Sequence, residues 1–144
     1  TKTRFCAFTV KQLFDYSRYH VDALVRHAFY QLISAQYKHC DTLGVYRDNL
    51  TNISHLCNHF NPDYRRESVK ECQKHYKFSI NMDNTMSYGY TSEKIYTGLF
   101  AHTIPVYFGN IDVHEIINPD RIIICKIEDH VMLEIRKGFG EKIK

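Results

Sequence analysis

The first third of the chain contains one strand-like segment and one amphipathic helix. Residues 4–10 are rich in β-formers and form a run too short for a helix, so they predict a buried strand. From Asp22 to Gln36 apolar residues recur at helical spacing, which predicts a helix with one broad apolar face and Asp22 as its cap. These apolar residues are Leu24, Val25, Ala28, Phe29, Leu32 and Ile33.

The next stretch has a weaker pattern. Residues 40–61 combine Gly44 with several Asn and Asp residues, and Pro62 follows, so a long connection is expected there. A short polar helix is predicted from Glu67 to His75. Apart from this polar helix, the hydrophobic pattern therefore predicts little regular structure between the first helix and the second strand.

That second strand is predicted to lead directly into another helix. Apolar and polar side chains alternate over Lys77–Asp83, as in a strand, and a polar turn follows from Asn84 to Tyr90. The segment Ser92–His102 then has apolar residues at helical spacing, with Thr91 or Ser92 available as the cap.

Two further short strands are predicted at Ile104–Phe108 and Arg121–Cys125, with a helix-like turn near Asp112–Ile116 between them. Residues from Gly138 to Lys144 are polar without an apolar period, so a frayed end is expected there. Because strands alternate with helices, the pattern predicts an α/β domain with a parallel sheet.

Composition and charge exclude several classes of protein. The chain has 144 residues, 44% hydrophobic and 24% charged, which is the balance of one globular domain and not of a disordered segment. The formal net charge of +3 comes from scattered basic residues and does not favour nucleic-acid binding. No apolar run reaches the roughly 20 residues that span a bilayer. The five cysteines include no C-x-x-C pair, so buried thiols are expected rather than a disulfide framework.

The turn after the Lys77–Asp83 strand carries the richest candidate chemistry. In parallel α/β sheets, ligands bind at the carboxyl ends of the strands, where helix N-termini offer unpaired amides and partial positive charge. Glu93 suits the hydroxyls of a ribose, and Lys94 together with Arg26 suits phosphate, so a nucleoside diphosphate is a candidate ligand. From spacing alone, an exposed Glu-Lys pair on a helix turn is the commoner explanation.

Metal binding has little support in the sequence. His55, Cys57 and His59 lie close together, but no second pair follows at ligand spacing. The chain also contains no Asp-x-Asp motif. We therefore expect no metal site.

Several stretches together form a family signature. They are Val25-Arg26-His27-Ala28-Phe29-Tyr30, Asp83-Asn84, Gly89-Tyr90-Thr91-Ser92-Glu93-Lys94-Ile95 and His102-Thr103-Ile104-Pro105-Val106-Tyr107-Phe108-Gly109. In this order they resemble the α1,3/4-fucosyltransferases, glycosyltransferase family 10, and the resemblance runs from about Arg4 to Ile124. Asp83, Ser92 and Phe108 stand where that family more often has Glu, Thr and Trp.

This resemblance implies a GT-B enzyme built from two Rossmann-like halves, each a parallel sheet flanked by helices. Residues 1–144 are expected to form the single C-terminal, GDP-fucose-binding domain, without the N-terminal acceptor domain and the C-terminal tail. The implied reaction is inverting transfer of L-fucose from GDP-fucose to a glycan hydroxyl. The catalytic base is expected in the missing N-terminal half, so the isolated chain is expected to be inactive or nearly so.

The resemblance also assigns roles to five donor-binding residues. Arg26 and Lys94 are expected to hold the pyrophosphate, Glu93 the ribose, and Asn84 and Tyr90 further phosphate and sugar contacts. These side chains fit the chemistry of a sugar nucleotide, which reverses the preference for an ordinary exposed Glu-Lys pair.

The expected partners are GDP-fucose and, through the missing half, a glycan acceptor, with no nucleic acid and membrane contact only through an absent anchor. No cofactor is expected to be required, although a divalent metal could stimulate. A cytoplasmic or peripheral-membrane location is weakly favoured for a bacterial or viral enzyme, and a Golgi membrane applies to a eukaryotic one. Two alternatives stay open, a catalytically inactive nucleotide-binding module and a GT-B transferase that uses another sugar nucleotide.

Overall fold

A computed structural model describes residues 1–10, 21–44 and 65–143, which form five strands and four α-helices. The strands are β1 (Arg4–Val10), β2 (Asp41–Gly44), β3 (Tyr76–Ile80), β4 (Ile104–Tyr107) and β5 (Ile123–Ile124). The helices are α1 (Leu24–Gln36), α2 (Arg65–Gln73), α3 (Glu93–Phe100) and α4 (Asp129–Ile143), with single 3₁₀ turns at Val21–Ala23, Val113–Glu115 and Pro119–Arg121. None of the helices described is long and apolar enough to cross a bilayer.

The sheet has the strand order β2-β1-β3-β4-β5, and every neighbouring pair is parallel, as the alternation of strands and helices predicts. The chain moves outward from β1 to β2, returns past β1 to β3, and continues outward to β4 and β5. The direction of winding therefore reverses between β1 and β3. In an open α/β sheet, the carboxyl ends of the two strands at such a reversal flank the ligand crevice.

Alternate residues of the strands fill the two faces of the sheet. On one face, Phe8 and Val106 pack with apolar side chains of α1 and α4. On the other face, Ala7 packs against α2, and Tyr107 packs against α3. Because successive side chains of a strand point to opposite faces, both faces of this sheet need a helix layer. The sheet therefore lies between two helix layers, one formed by α1 and α4 and the other by α2 and α3.

Two elements of the fold lie where the sequence predicts none. The strand β2 has only four residues, too few for a periodic signal, although Leu43 within it is fully buried. The helix α4 includes most of the segment expected to fray, and its described core contacts come from Met132 and the half-buried Ile135. Because so few apolar residues of α4 face the core, its helical period is weak in the sequence. The helix is stabilised by tertiary packing.

One predicted helix cap is wrong and one is confirmed. Ala23, not Asp22, is the N-cap residue of α1, and it makes no side-chain cap hydrogen bond. Asp22 is buried and instead accepts hydrogen bonds from Arg136 and from the backbone amide of Met86. Ser92 caps α3 as predicted, since its Oγ accepts a hydrogen bond from the Lys94 amide at 3.4 Å.

The cysteines only partly follow the prediction of buried thiols. Cys6 and Cys40 are buried thiols and Cys125 is a half-buried one, whereas Cys72 is disulfide-bonded. A hydrogen bond with Cys40, the residue before β2, together with burial, raises the pKa of Cys6. His55, Cys57 and His59, the weak candidate for a metal site, lie outside the described residues.

Protonation of His27 is expected to destabilise the fold at acidic pH. The imidazole of His27 is buried on α1 and meets Phe8 edge-on, with 5.6 Å between the ring centroids. Burial, with a smaller contribution from the charge of Arg26, lowers the pKa of His27 from 6.5 to about 4. Because the unfolded chain takes up this proton at a higher pH, the stabilisation is complete above pH 6.5 and declines towards pH 4. The loss should reach at most about 3 kcal/mol.

Urea unfolding at a series of pH values between about 4 and 7 measures this loss. The variant His27→Gln should show a smaller decline than the wild type, whereas His114→Gln, at an exposed position, should behave like the wild type. Equal pH dependence in the wild type and His27→Gln would show that His27 is not the source of the loss of stability at acidic pH.

Candidate functional site

The N-terminus of α3 is held against the carboxyl end of β3. Asn81, just beyond β3, donates a hydrogen bond from Nδ2 to the Lys94 carbonyl at 2.8 Å. Gly98 of α3 faces Asn81 and Ser79, and a Cβ at this position would overlap the side-chain oxygen of Asn81. The glycine therefore permits a close approach of helix to strand. This approach places Glu93 and Lys94 at the edge of the sheet where the crevice opens.

Asp83 is a buried carboxylate in the turn that joins β3 to α3. Its side chain accepts hydrogen bonds from the Oγ of Ser92 and, at 2.6 Å, from the hydroxyl of Tyr107. A buried carboxylate is strongly unfavourable unless it is hydrogen-bonded, and these two donors offset that cost. Burial and the hydrogen bond with Asp83 raise the pKa of Tyr107, so its hydroxyl keeps the proton that it donates.

Two of the three positions that differ from the usual residues of the resembled family are direct partners here. Asp83 and Ser92 are hydrogen-bonded to each other across the turn. Each is the smaller of two chemically related residues, and their contact keeps the carboxylate–hydroxyl pair. In this chain the pair therefore connects the end of β3 with the first turn of α3.

Asn110 extends this network to the loop of residues 84–91. Its backbone amide donates to the Tyr107 hydroxyl at 2.8 Å, and its side chain donates to Thr91 Oγ1 at 2.9 Å. The Asn110 side-chain oxygen also accepts a hydrogen bond from the Gly89 amide at 3.0 Å. Ser87 pairs with Asn110 in a parallel bridge. These contacts fix the path of the loop from β3 to α3.

Arg26 and Asn84 meet at the point where the strand order reverses. Arg26 lies on α1, which follows β1, and Asn84 lies in the loop that follows β3. The guanidinium is buried, and its Nη1 donates to Asn84 Oδ1 at 2.5 Å. The low pKa of the neighbouring His27 keeps that imidazole neutral near pH 7, so Arg26 supplies the positive charge on this part of α1.

The other three predicted residues lie together near the start of α3. Lys94 Nζ is 3.8 Å from Glu93 Oε1 and 3.4 Å from Ser92 Oγ. The side chain of Lys94 is 30% exposed and that of Glu93 53% exposed, so both can reach a ligand in solvent. Tyr90, three residues before Glu93 in the loop, is exposed.

The five predicted residues therefore form two neighbouring groups. Arg26 and Asn84 lie in the crevice, whereas Tyr90, Glu93 and Lys94 lie beside the helix N-terminus. The hydrogen bond between Asp83 and Ser92 joins the two groups, because Asp83 precedes Asn84 and Ser92 precedes Glu93 in the chain.

This arrangement suits an anionic ligand that also carries hydroxyl groups. The two cations and the positive end of the α3 helix dipole attract negative charge, and the Glu93 carboxylate accepts hydrogen bonds from hydroxyls. In the part of the chain that the structure describes, no cluster of three or more His, Cys, Asp or Glu side chains could hold a metal ion.

Sequence reasoning did not identify Asp83, Tyr107 and Asn110 as parts of the site. The Tyr107 hydroxyl donates to the Asp83 carboxylate and accepts a hydrogen bond from the Asn110 backbone amide. These contacts depend on the pairing of β3 with β4 and not on spacing along the chain. A polar residue at the end of a strand has the same sequence pattern whether it is exposed or buried in such a network.

Gly109→Ala is expected to disturb this network more than Gly89→Ala. A Cβ at Gly109 would overlap the Asp83 carboxylate and lie 2.7 Å from the Tyr107 hydroxyl. Overpacking of this kind typically costs about 1–3 kcal/mol. A Cβ at Gly89 meets no atom within 4 Å, and its φ of +71° alone should cost about 1 kcal/mol.

Urea unfolding of both variants gives the comparison, with the free energy of unfolding as the measured quantity. A loss in Gly109→Ala no larger than that in Gly89→Ala would show that the Asp83 network does not constrain the fold.

Comparisons with known proteins found matches in family and in fold. The model of the C-terminal region of glycosyltransferase family 10 (fucosyltransferase) matches residues 13–130. The α-(1,3)-fucosyltransferase FucT of Helicobacter pylori is 38% identical over 60 residues, which are 42% of this chain and 13% of that protein. Crystal structures of an α1,3-fucosyltransferase with GDP-fucose and with GDP each superpose with a TM-score of 0.63 and 26% identity.

These superpositions cover 98% of this chain and 36% of the solved chains. The chain thus spans about a third of the solved structures and a smaller part of FucT. The predicted fold class, a Rossmann-like parallel sheet flanked by helices as in a GT-B fucosyltransferase, is confirmed. Because the family model matches most of its length, the chain belongs to glycosyltransferase family 10, the fucosyltransferases.

Proposed function

We propose that this chain forms the GDP-fucose-binding domain of an inverting GT-B fucosyltransferase, which transfers L-fucose to a glycan hydroxyl. The observation that carries the proposal is the contact of Arg26 with Asn84 at the reversal of strand order, beside the N-terminus of α3. The related solved structures contain GDP-fucose or GDP, which supports this choice of ligand.

In this proposal Arg26 and Lys94 bind the pyrophosphate. The Arg26 guanidinium is buried, so its interaction with a phosphate is weakly screened by water. Negative charge grows on the diphosphate as the bond to fucose breaks, and two cations held in place stabilise that charge. In other enzymes a metal ion often has this electrostatic role. Because Arg26 and Lys94 take it here, we propose that no metal is required.

Asn84, Glu93 and Tyr90 complete the donor site. The Oδ1 of Asn84 accepts the hydrogen bond from Arg26, which directs its side-chain amide towards other acceptors such as phosphate oxygens. Glu93, exposed at the start of α3, binds the ribose hydroxyls, and Tyr90 contributes its hydroxyl to the phosphate and sugar contacts.

The acceptor and the catalytic base are assigned to a separate N-terminal domain. We assign Glu93 to the ribose, and Asp83 is buried and engaged by the hydroxyls of Ser92 and Tyr107. Residues 1–144 alone are therefore expected to bind the donor and to transfer little or no fucose. Transfer should require the N-terminal domain, which brings the acceptor hydroxyl and a base to the fucose.

A nucleotide-binding module without transfer activity and a transferase for another sugar nucleotide are the alternatives. Both keep the phosphate contacts, so phosphate binding alone does not separate them from the main proposal. Preference among GDP, UDP and ADP tests which nucleobase is recognised. Transfer from GDP-fucose by the complete protein tests the reaction.

Loss of the Lys94 ammonium is expected to weaken GDP binding. Lys94→Ala should raise the dissociation constant about fivefold or more, which corresponds to about 1 kcal/mol for a charged hydrogen bond to phosphate. Arg26→Lys keeps the charge but loses the fork of the guanidinium, so it should also weaken binding. Isothermal titration calorimetry with GDP measures both variants.

Lys77→Ala is the matched control, since Lys77 is an exposed lysine on β3. Its affinity for GDP should equal that of the wild type. If Lys94→Ala and Arg26→Lys also keep the wild-type affinity, the phosphate site lies elsewhere. If the wild-type protein binds GDP no better than UDP or ADP, the GDP-fucose assignment is wrong.

A further inference from the structure

Asp22 is a fully buried carboxylate that joins three parts of the fold. It belongs to the 3₁₀ turn that precedes α1. Arg136 of α4 donates to it twice, from Nε to Oδ1 and from Nη2 to Oδ2, each at 3.0 Å. The backbone amide of Met86, in the loop after β3, donates to the same Oδ2 at 2.9 Å.

The Arg136 contact has the geometry of a strong ion pair. The guanidinium approaches the carboxylate with two parallel hydrogen bonds, which fixes orientation as well as distance. The Asp22 side chain has no exposed surface, whereas that of Arg136 is 40% exposed. A buried carboxylate is stable only when its charge is compensated, and Arg136 is a cation that compensates Asp22 through two hydrogen bonds.

Asp22 and Met86 lie close along the chain to two residues of the proposed nucleotide site. Asp22 is four residues before Arg26, and Met86 is two residues after Asn84. The start of α1 and the loop after β3 are therefore linked twice, by Arg26 with Asn84 and by Asp22 with the Met86 amide. Two links define the relative position of these elements more closely than one link can.

We propose that Arg136 is a positioning residue for the nucleotide site. By orienting Asp22, it holds the Met86 amide and with it the loop that presents Asn84 to Arg26. Arg136 does not contact the nucleotide in this arrangement. The effect on GDP rests on the proposed function, whereas the effect on the loop does not.

A general role of Arg136 in holding α4 does not account for this geometry. Met132 and Ile135 already pack α4 into the main core cluster. Loss of the guanidinium should therefore leave α4 in place and act on the Met86 amide and its loop. The expected effect is on binding geometry more than on the presence of the fold.

Arg136→Met in the complete natural protein tests the proposal, because Met keeps an apolar stem and removes the guanidinium. Amide hydrogen exchange of the peptide that contains residues 84–91 should become about tenfold faster, as expected when a local contact is lost. The dissociation constant of GDP should rise about fivefold, within the range for residues that act on a site through a neighbour. The KM for the donor should rise and the KM for the acceptor should not.

Lys137→Met is the matched control. Lys137 is the next residue of α4, and its ammonium pairs at 3.3 Å with Glu134 on the exposed side of the helix. This variant should show wild-type exchange and wild-type GDP affinity. Arg136→Lys, which keeps the charge and loses the double hydrogen bond, should lie between wild type and Arg136→Met in both measurements.

The outcomes separate this inference from the proposed function. If the wild type binds GDP, and folded Arg136→Met keeps wild-type exchange in residues 84–91 and wild-type affinity, the positioning role is wrong. If the wild type does not bind GDP, the proposed function is wrong, and hydrogen exchange alone decides whether Arg136 holds the loop. If Arg136→Met does not fold, Arg136→Lys supplies the same comparison.

Discussion

Parallel pairing of β1 with both β2 and β3 is the constraint on which the candidate site depends. A parallel sheet needs a crossover between its strands, and the two directions of winding place α1 on one side of the reversal and α3 on the other. The crevice is the region between the helices of these two directions, which neither set of helices covers. Arg26 reaches it from α1, and Asn84 reaches it from β3, so the topology brings together two residues that are 58 positions apart.

Buried carboxylates stabilise the two sides of this crevice. Asp83 is satisfied by the hydroxyls of Ser92 and Tyr107, and Asp22 is satisfied by Arg136 and the Met86 amide. Each carboxylate is costly to bury without its partners, so each restricts the elements that carry those partners. The loop between β3 and α3 is consequently held from both ends, although loops of this kind are usually the most variable parts of a fold.

The parts of the fold that follow from local pattern were predictable. The strand β3 and the helix α3 have alternating and helical periods within a few residues, and Ser92 is followed by the helix that it caps. The strand β2 and the helix α4 were not predictable, because β2 is four residues long and α4 contributes few side chains to the core. Asp22 has the residue type of a helix cap, but its carboxylate is engaged by Arg136, 114 residues further along the chain.

For the site, the sequence alone supplied the candidate residues. Its ordered motifs point to one family, and the charges of Arg26, Glu93 and Lys94 and the helix start at Ser92 can be read directly from the chain. Only the tertiary structure decided which residues meet. It also decided that buried residues hold the surrounding loops by hydrogen bonds, namely Asp83, Tyr107, Asn110 and Asp22. The physical reason is that periodicity and capping depend on neighbours within a few residues, whereas burial of a charge depends on partners brought by distant strands and helices.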